Sequence, residues 1–442
     1  SRTFHVDTGY QPFPRFPVEA DVVIDLLKHL EHLTLIVVIL PLHVPGEYHA
    51  DTSELVQLLQ KGHHNVRLDR EAWDRLITWI DLNGPCHGTW GDISTIPRGA
   101  DRRRRELAQR FGGLTQDPER VPEIPREPVE PIVPDPLPGP EGRLVEAAGW
   151  PFDAAEAGRR QQAEGAWEKT VALGEGVTLR LVRIPAGEFV MGSTDGEVDE
   201  YPVARVSIAH PFWMSACEIT NEQFRRLDPS HTPGVFSKRS LDVNGPGIAL
   251  DGPRQPVVRV SWRQAVEFCR WLSEKTGQQF VLPTEAQWEY ACRAGSPTDL
   301  SFGALGADFS GHANLADETL SRIHTHTGGL VVLQEIPSDA GFDDGAVATA
   351  DVAGYRPNAW GLYDMHGNAA EWTLSGYEPY PYQDDQRNSS TLSGRRVVRG
   401  GSFYDRAKRS RSAFRLSYPT WQRVHNVGFR VVCEEGGRVA TR

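Results

Sequence analysis

Cysteine is scarce in this sequence of 442 residues, and no two of its five cysteines stand in C-x-x-C spacing. A dense disulfide framework and a four-cysteine zinc site are therefore excluded. The longest apolar run, residues 33–42, has about half the length of a membrane-spanning helix, so no membrane span is predicted. Basic residues are outnumbered, 47 against 59 acidic ones, which argues against nucleic acid as a partner because phosphate binding requires the opposite charge.

Composition divides the chain into three parts. Residues 1–112 contain leucines at helical spacing, a clearer helical pattern over residues 69–80 and a run of arginines, 102–105, that begins a further helix. We therefore predict a small, mainly helical domain. Residues 113–147 are dense in proline, which excludes helix and interior strand, and are predicted to form an extended linker. Residues 148–438 are predicted to form the large domain.

The large domain is predicted to be α+β with few long regular elements. A lead-in helix is expected over residues 153–167, and alternating apolar residues from Val177 predict a strand. One helix face is predicted to consist of Ala265, Phe268, Cys269 and Leu272. Thr284, followed three residues later by Gln287, predicts a capping box at the start of another helix.

A turn rich in glycine precedes the most basic part of this acidic chain. Gly400 and Gly401 before Ser402 predict a tight turn that presents a small hydroxyl group. The surrounding basic residues are Arg395, Arg396, Arg399, Arg406, Lys408, Arg409, Arg411 and Arg415, with Asp405 the only acid among them. Arginine forks bind carboxylate, sulfate or phosphate bidentately. The alternative is that these arginines pair with Asp and Glu of the same domain.

The stretch N-A-W-G-L-Y-D-M-H-G-N-A-A-E-W over residues 358–372, together with the Gly-Gly-Ser turn, resembles the formylglycine-generating enzyme (sulfatase-modifying factor) family. The likeness runs from about Val177 to Arg430, with its motifs in family order. It implies the family's compact, irregular α+β fold, which is related to C-type lectins.

The resemblance implies a specific chemistry that this chain does not carry. Family members that oxidise a sulfatase cysteine to formylglycine bind copper through two cysteines just after the turn, and soft thiolates suit Cu(I). Here Asp405 stands at the first position and Ser410 at the second. Copper and the formylglycine reaction are therefore not expected. We interpret the domain as a divergent ligand- or protein-binding module; the alternative is an oxidoreductase that uses another metal-dependent mechanism in the same groove.

Both interpretations use the groove around the turn. The residues predicted to take part in catalysis are Ser402 and Asp405. The predicted ligand is an anionic small molecule or a segment of a peptide or protein. The residues predicted to bind it are Tyr404, Arg406, Arg409, Arg411, Arg415 and Trp421.

The resemblance also implies two structural calcium sites, made of side-chain and carbonyl oxygens. The first would use Asn314, Leu315, Asp344 and Ala346, and the second Asp364, Gly367, Ala369 and Glu371. Hard oxygen donors in glycine-rich loops are the ligands that Ca²⁺ takes; acids that only cap turns are the alternative. A disulfide between Cys269 and Cys433 is also compatible with the resemblance, and two buried free thiols explain the sequence equally well.

The N-terminal part carries a second, weaker resemblance. Residues 47–51 and 88–90 resemble the helical region near c-type cytochrome modules and in proteins like the hydrazine synthase alpha subunit. This implies an upstream redox module in the native chain and favours a periplasmic or secreted location. Cys86-His87 has the ending of a haem attachment motif, but Asn83 replaces its first cysteine, so covalent haem is not expected.

Overall fold

The structure is a computed structural model, and its described residues are 50, 53–61, 68–81, 101–113, 145–163, 165–236, 248–322, 338–339, 341–391 and 394–438. Contacts divide the chain into two units, residues 1–43 with 72–133 and residues 44–71 with 134–442. Residues 44–71 group with the larger unit, and Val56 and Lys61 of this segment are buried.

The first three described helices match the sequence patterns. They are α1 (Glu54–Gln60), α2 (Arg70–Asp81) and α3 (Asp101–Gly112). α1 belongs to the larger unit, α2 begins at the boundary, and α3 belongs to the smaller unit. The helices predicted over residues 69–80 and from Arg102 are confirmed. Of the second resemblance, over residues 47–51 and 88–90, only Ala50 lies among the described residues, so nothing tests it.

The larger unit is α+β, as predicted. Its helices are α4 (Ala154–Gln162), α5 (Asn221–Phe224), α6 (Trp262–Thr276), α7 (Glu285–Arg293) and α8 (Glu318–Arg322). Its strands are β1 (Glu168–Gly174), β2 (Val177–Ile184), β3 (Gly187–Met191), β4 (Ala204–Ile208), β5 (Phe212–Ser215), β6 (Val235–Phe236), β7 (Ile248–Ala249), β8 (Gln278–Val281), β9 (Ala370–Gly376), β10 (Arg395–Arg399), β11 (Leu416–Pro419), β12 (Val427–Gly428) and β13 (Val432–Arg438). Among the described residues, none of the helices has the length and apolar character that a membrane crossing needs.

Two larger sheets position the rest of the unit. The first has the order β1-β2-β5-β13-β8, and the second has the order β11-β10-β9-β12. The pairs of the first sheet are antiparallel, while β12 runs parallel to β9 in the second. β10 therefore lies between β9 and β11, and the Gly-Gly-Ser turn leaves from its C-terminal end.

The helix caps follow from the sequence. Thr284 and Gln287 form the predicted capping box, and Ser261 and Gln264 form another at the start of α6. The predicted apolar face of α6 is confirmed, since its residues are buried in a core cluster with β1, β2 and β9. The lead-in helix is shorter than predicted and ends at Gln162. Its predicted last residue, Trp167, instead accepts a backbone hydrogen bond from β2.

The described cysteines are free thiols. They are Cys217, Cys269, Cys292 and Cys433. Cys269 and Cys433 are both buried in one core cluster, and the Cys433 thiol lies 3.4 Å from the side-chain oxygen of Gln278. The structure therefore has the free-thiol alternative and not the disulfide between them. Burial raises the pKa of both thiols, as expected for side chains that act as small apolar residues.

Candidate functional site

The predicted tight turn after β10 is present. Gly400 and Gly401 have φ angles of 96° and 67°, in the left-handed region that favours glycine. A Cβ atom on Gly401 would lie 2.3 Å from Ser410 Oγ, so a side chain there would displace the facing loop. Gly401 therefore allows the turn to lie close against the loop that carries Ser410.

Ser402, Asp405, Arg409 and Asn426 form a hydrogen-bonded group that we call the Ser402 network. Ser402 Oγ donates to Asp405 Oδ2 at 2.6 Å and accepts from Asn426 Nδ2 at 2.8 Å. The Arg409 guanidinium donates to Asp405 Oδ1 at 3.1 Å. Ser402 is fully buried and Asp405 is 3% exposed. The two predicted catalytic residues are therefore adjacent, but they are closed off from solvent and bonded to each other.

The hydrogen bonds of the Ser402 network leave its side chains poorly placed to react. The Ser402 proton is directed at Asp405, while the backbone N–H of Tyr404 also donates to the serine oxygen at 3.2 Å. Asp405 and Ser410, at the two positions where the resemblance expects cysteine, supply hard oxygen atoms rather than soft sulfur. A Cu(I) thiolate site cannot form from them.

Tyr404 lies in an aromatic group beside the network. Its ring meets His425 edge-on with centroids 5.1 Å apart, and Phe236 contacts both Phe403 and Tyr404. Tyr404 is half-buried, whereas Arg406 and Trp421 are exposed. Of these three predicted ligand-binding residues, one thus belongs to a packed aromatic group and two lie at the surface.

Several arginines of the basic stretch bind glutamates in the core. Arg415 donates to both oxygens of Glu285 at 2.6 and 3.1 Å, and Arg399 binds Glu289. Arg411 forms a bidentate pair with Glu200 at 2.7 and 2.6 Å. All three guanidinium groups are buried. For Arg411 and Arg415 the structure therefore favours the second alternative, in which the arginines pair with acids of the domain.

His366 and Cys292 lie behind Ser410. His366 Nδ1 donates to the Ser410 carbonyl at 2.7 Å, so Nε2 accepts from the backbone N–H of Ser301 at 3.0 Å. The Cys292 thiol lies 3.5 Å from the same Nε2. Burial lowers the pKa of His366 to about 4 and raises that of Cys292 to about 12. Both groups are neutral at pH 7, so they pack the loop and do not supply a thiolate.

A groove of about 740 Å³ opens on the other side of Arg411. Among its lining residues are Trp150, Asp195, Tyr201 and Asp299. Of the predicted ligand-binding residues only Arg411 lines it, so sequence reasoning missed this groove. Its walls come from the lead-in segment and from the loops after β3 and α7. These segments are far apart in sequence and share no motif, so nothing in the sequence indicates that they meet.

The first predicted calcium site brings acids together. Asp344 accepts hydrogen bonds from the backbone N–H groups of Leu315 at 2.7 Å and Ala346 at 2.9 Å. Burial, with Asp317 and Asp343 nearby, raises the pKa of Asp344 to about 7. Asn314 Oδ1 is buried and has no hydrogen-bond partner among the described residues. The amide oxygen of Asn314 could therefore bind a hard cation, whereas both oxygens of Asp344 are already used and the described residues hold no group of three acids, histidines or cysteines arranged around a metal.

The second predicted calcium site fits only in part. Asp364 Oδ1 is buried without a partner among the described residues, as is Glu218 Oε2. Burial raises the pKa of Glu218, and it raises that of Asp364 to about 6. Glu371 is already engaged, because its two oxygens accept from Arg430 at 2.6 and 2.7 Å. Asp364 and Glu218 lie within hydrogen-bond reach of each other, so Glu218 rather than Glu371 is the glutamate that shares this site with Asp364.

Glu218 was missed by sequence reasoning, although its position carried a signal. It is an acid within the apolar stretch that follows β5, and such an acid needs a buried partner. Gly367 shapes the same region: its φ is 98°, and a Cβ there would lie 2.3 Å from the carbonyl oxygen of Asn314. We call the loops that carry Asn314, Asp344, Asp364 and Gly367, together with Glu218, the oxygen-rich loops.

Comparison with known proteins identifies similar sequences. A family profile described as sulfatase-modifying factor enzyme 1-like domain matches residues 175–435, more than half of the chain. The formylglycine-generating enzyme of Bos taurus is 29% identical over 300 residues, which cover 58% of this chain and 75% of that protein. Inactive C-alpha-formylglycine-generating enzyme 2 of Bos taurus is 28% identical over 317 residues, covering 62% and 92%.

A solved structure is also similar. PvdO from Pseudomonas aeruginosa has 27% sequence identity and a TM-score of 0.45, and the likeness covers 60% of this chain and 98% of that one.

Proposed function

The chain belongs to the sulfatase-modifying factor family, and from this premise we propose that it is a divergent member without the copper-cysteine reaction that acts as a ligand- or protein-binding module. The observation that carries the proposal is the Ser402 network. Asp405 and Ser410 supply oxygen in place of the two sulfur atoms; Asp405 accepts a hydrogen bond from Ser402, and Ser410 is fully buried. Inactive relatives occur in the family, as the name of the second Bos taurus protein states.

The groove beside Arg411 supports a peptide or protein segment as the ligand. Trp150 and Tyr201 offer aromatic surface, and Asp195 and Asp299 offer negative charge. Its two arginines already donate elsewhere: Arg411 to Glu200, and Arg293 to Glu289, Gly192 and Thr298. This distribution of charge suits an extended segment with apolar and basic side chains better than it suits an anion.

Calcium is the cofactor that we propose for the oxygen-rich loops. Asn314 and Asp344 would hold one ion. Asp364 with Glu218 would hold another, together with the predicted carbonyl groups of Gly367 and Ala369. The support is that Asn314, Asp364 and Glu218 each have a buried oxygen without a donor among the described residues. A bound cation would neutralise these carboxylates and hold together loops that contain little regular structure.

The test compares the wild-type chain with the double variant Asp405→Cys/Ser410→Cys. Both are loaded with Cu(I), analysed for bound metal, and assayed for oxygen consumption with a cysteine-containing peptide. We expect no stoichiometric copper and no peptide-dependent oxygen consumption in the wild type. The double variant should gain Cu(I) binding because it carries two soft ligands at the positions where the family has its cysteines.

The control is Asp308→Cys/Ser310→Cys, which places two thiols at an exposed Asp–Ser pair elsewhere in the chain and measures how much Cu(I) two neighbouring thiols bind without the family site; it should not gain peptide-dependent oxygen consumption. Peptide binding without oxidation, measured by fluorescence anisotropy and weakened by Trp150→Ala, would support the binding role. Oxygen consumption by the wild type would overturn the proposal and favour an oxidoreductase with a different metal-dependent mechanism.

A further inference from the structure

Helix α1 and the residue after it are packed into the larger unit. Val56 is fully buried, Lys61 is 8% exposed, and the Gln57 side chain is hydrogen-bonded to Tyr418. Lysine is almost never buried unless its ammonium group is paired, so the surroundings of Lys61 need an explanation.

Three groups surround the Lys61 ammonium. Its Nζ atom donates to the Arg415 carbonyl at 2.5 Å and lies 3.4 Å from Asp199 Oδ1. The same atom lies 4.1 Å from the centre of the Phe414 ring. A hydrogen bond, an opposite charge and an aromatic face are the three contacts that favour a primary ammonium group.

These groups are held in place by contacts that do not involve Lys61. Asp199 Oδ2 accepts from the Tyr377 hydroxyl at 2.8 Å, and the Arg415 side chain is bound to Glu285. Burial works to raise the pKa of Asp199, but the charges of Lys61 and Arg415 outweigh it and lower the pKa. The carboxylate is therefore ionised and oriented toward the ammonium group.

We propose that Asp199, the Arg415 carbonyl and the Phe414 ring form a binding site for an alkylammonium group, which this chain fills with its own Lys61. The contact holds α1 against Tyr418. It also neighbours the Ser402 network, because Arg409, the partner of Asp405, approaches the same Phe414 ring to 5.9 Å. Loss of the ammonium group would release α1 and uncover Phe414 and Tyr418 beside that network.

The first test measures hydrogen exchange of α1 in the full chain. Lys61→Met keeps an apolar stem over Phe414 and removes only the charge, and Asp199→Asn keeps the geometry while removing the opposite charge. We expect each to speed exchange over residues 54–61 by about tenfold or more, with a double variant less affected than the sum of the two. The control is Lys275→Met, which removes an exposed lysine 5.5 Å from the Trp271 ring and should leave α1 unchanged.

The second test asks whether the site takes an ammonium group from solution. In Lys61→Ala, n-butylammonium should slow the exchange of α1 and raise the melting temperature, whereas n-butanol, which lacks the charge, should not. The wild type should respond to neither. Equal exchange of α1 in wild type, Lys61→Met and Asp199→Asn would overturn the proposal, as would equal responses of Lys61→Ala to the amine and the alcohol.

Discussion

The Ser402 network and the oxygen-rich loops differ in how well their buried carboxylates are paired. In the network, both carboxylate oxygens of Asp405 accept hydrogen bonds, from Ser402 and from Arg409. In the oxygen-rich loops, Asn314, Asp364 and Glu218 each keep one buried oxygen without a partner among the described residues. The carboxylate of the network is therefore fully paired, although Asn426 Oδ1 is also buried without a partner among the described residues, whereas two carboxylates and an amide of the oxygen-rich loops are not fully paired.

The Gly-Gly-Ser turn and the oxygen-rich loops both match motifs of the family, but they differ in what their side chains can bind. The Gly-Gly-Ser turn is present, yet its neighbours have turned the copper position into a structural contact. The oxygen-rich loops keep donors that a hard cation requires, and burying them without a partner is costly. The Gly-Gly-Ser turn is thus present without the cysteine pair that the resemblance expects after it.

The largest effect should come from Gly367→Ala, which breaks the oxygen-rich loops. We expect a loss of about 3 kcal/mol in the free energy of unfolding in calcium-free urea titrations, because φ is 98° and the new Cβ meets a backbone carbonyl. Gly345→Ala is the control, since Gly345 has φ 82° but open space around it, and should cost about 1 kcal/mol. Equal losses would show that the close approach is unimportant.

Calcium should stabilise the oxygen-rich loops and leave the Ser402 network unaffected. At a concentration 100-fold above its dissociation constant, the ion should stabilise the wild type by about 2.7 kcal/mol, measured as a rise in melting temperature. Asp344→Asn and Asp364→Asn should each reduce this response, whereas Asp405→Asn should leave it unchanged. A response lost equally in all three variants would remove the distinction between the regions.

Asp405→Asn should break the Ser402 network at a somewhat smaller cost. The variant loses charge-assisted hydrogen bonds to Ser402 and Arg409, for which we expect about 2 kcal/mol by urea denaturation. Asp308→Asn removes a similar carboxylate from an exposed hydrogen bond to Ser310 and should change stability by less than about 0.5 kcal/mol. If the two variants cost the same, the network does not stabilise the buried turn.

Much of the fold was predictable, because local signals agree with the tertiary structure. The capping box at Thr284 and the apolar face of α6 are encoded within a few residues, and both are confirmed. The family assignment is confirmed by the profile match. The lead-in helix was predicted too long because the pairing of Trp167 with β2 overrides its helical surroundings.

The site was less predictable, because it depends on partners far apart in sequence. The charge of Arg411 is visible in the sequence, but its partner Glu200 lies 211 residues earlier. The pairing of Lys61 with Asp199 and the groove at Trp150 likewise depend on packing between distant segments. The calcium ligands and the binding role stay predictions, and the absence of the cysteine pair was fully readable from the sequence.

The smallest effect is a pH dependence confined to the oxygen-rich loops. Burial raises the pKa of Asp344 from 3.8 to about 7. A carboxyl group with a raised pKa in the folded state stabilises the fold at low pH, and that stability is lost as pH rises toward the raised value. In calcium-free buffer, the stability of wild type relative to Asp344→Asn should therefore fall between pH 4 and pH 7, and because Asp344 is partly exposed to solvent the fall should be well below the roughly 4 kcal/mol that the full shift corresponds to.

Stability is compared between wild type and Asp344→Asn because His366 changes stability with pH in the opposite direction. Its pKa is lowered to about 4, so the stability that it contributes is lost as pH falls from its unfolded value of 6.5. This slope occurs in both proteins and cancels in the difference. Saturating calcium should abolish the remaining slope, because a bound cation keeps Asp344 ionised at every pH in the range. A slope that survives calcium would mean that Asp344 is not a ligand.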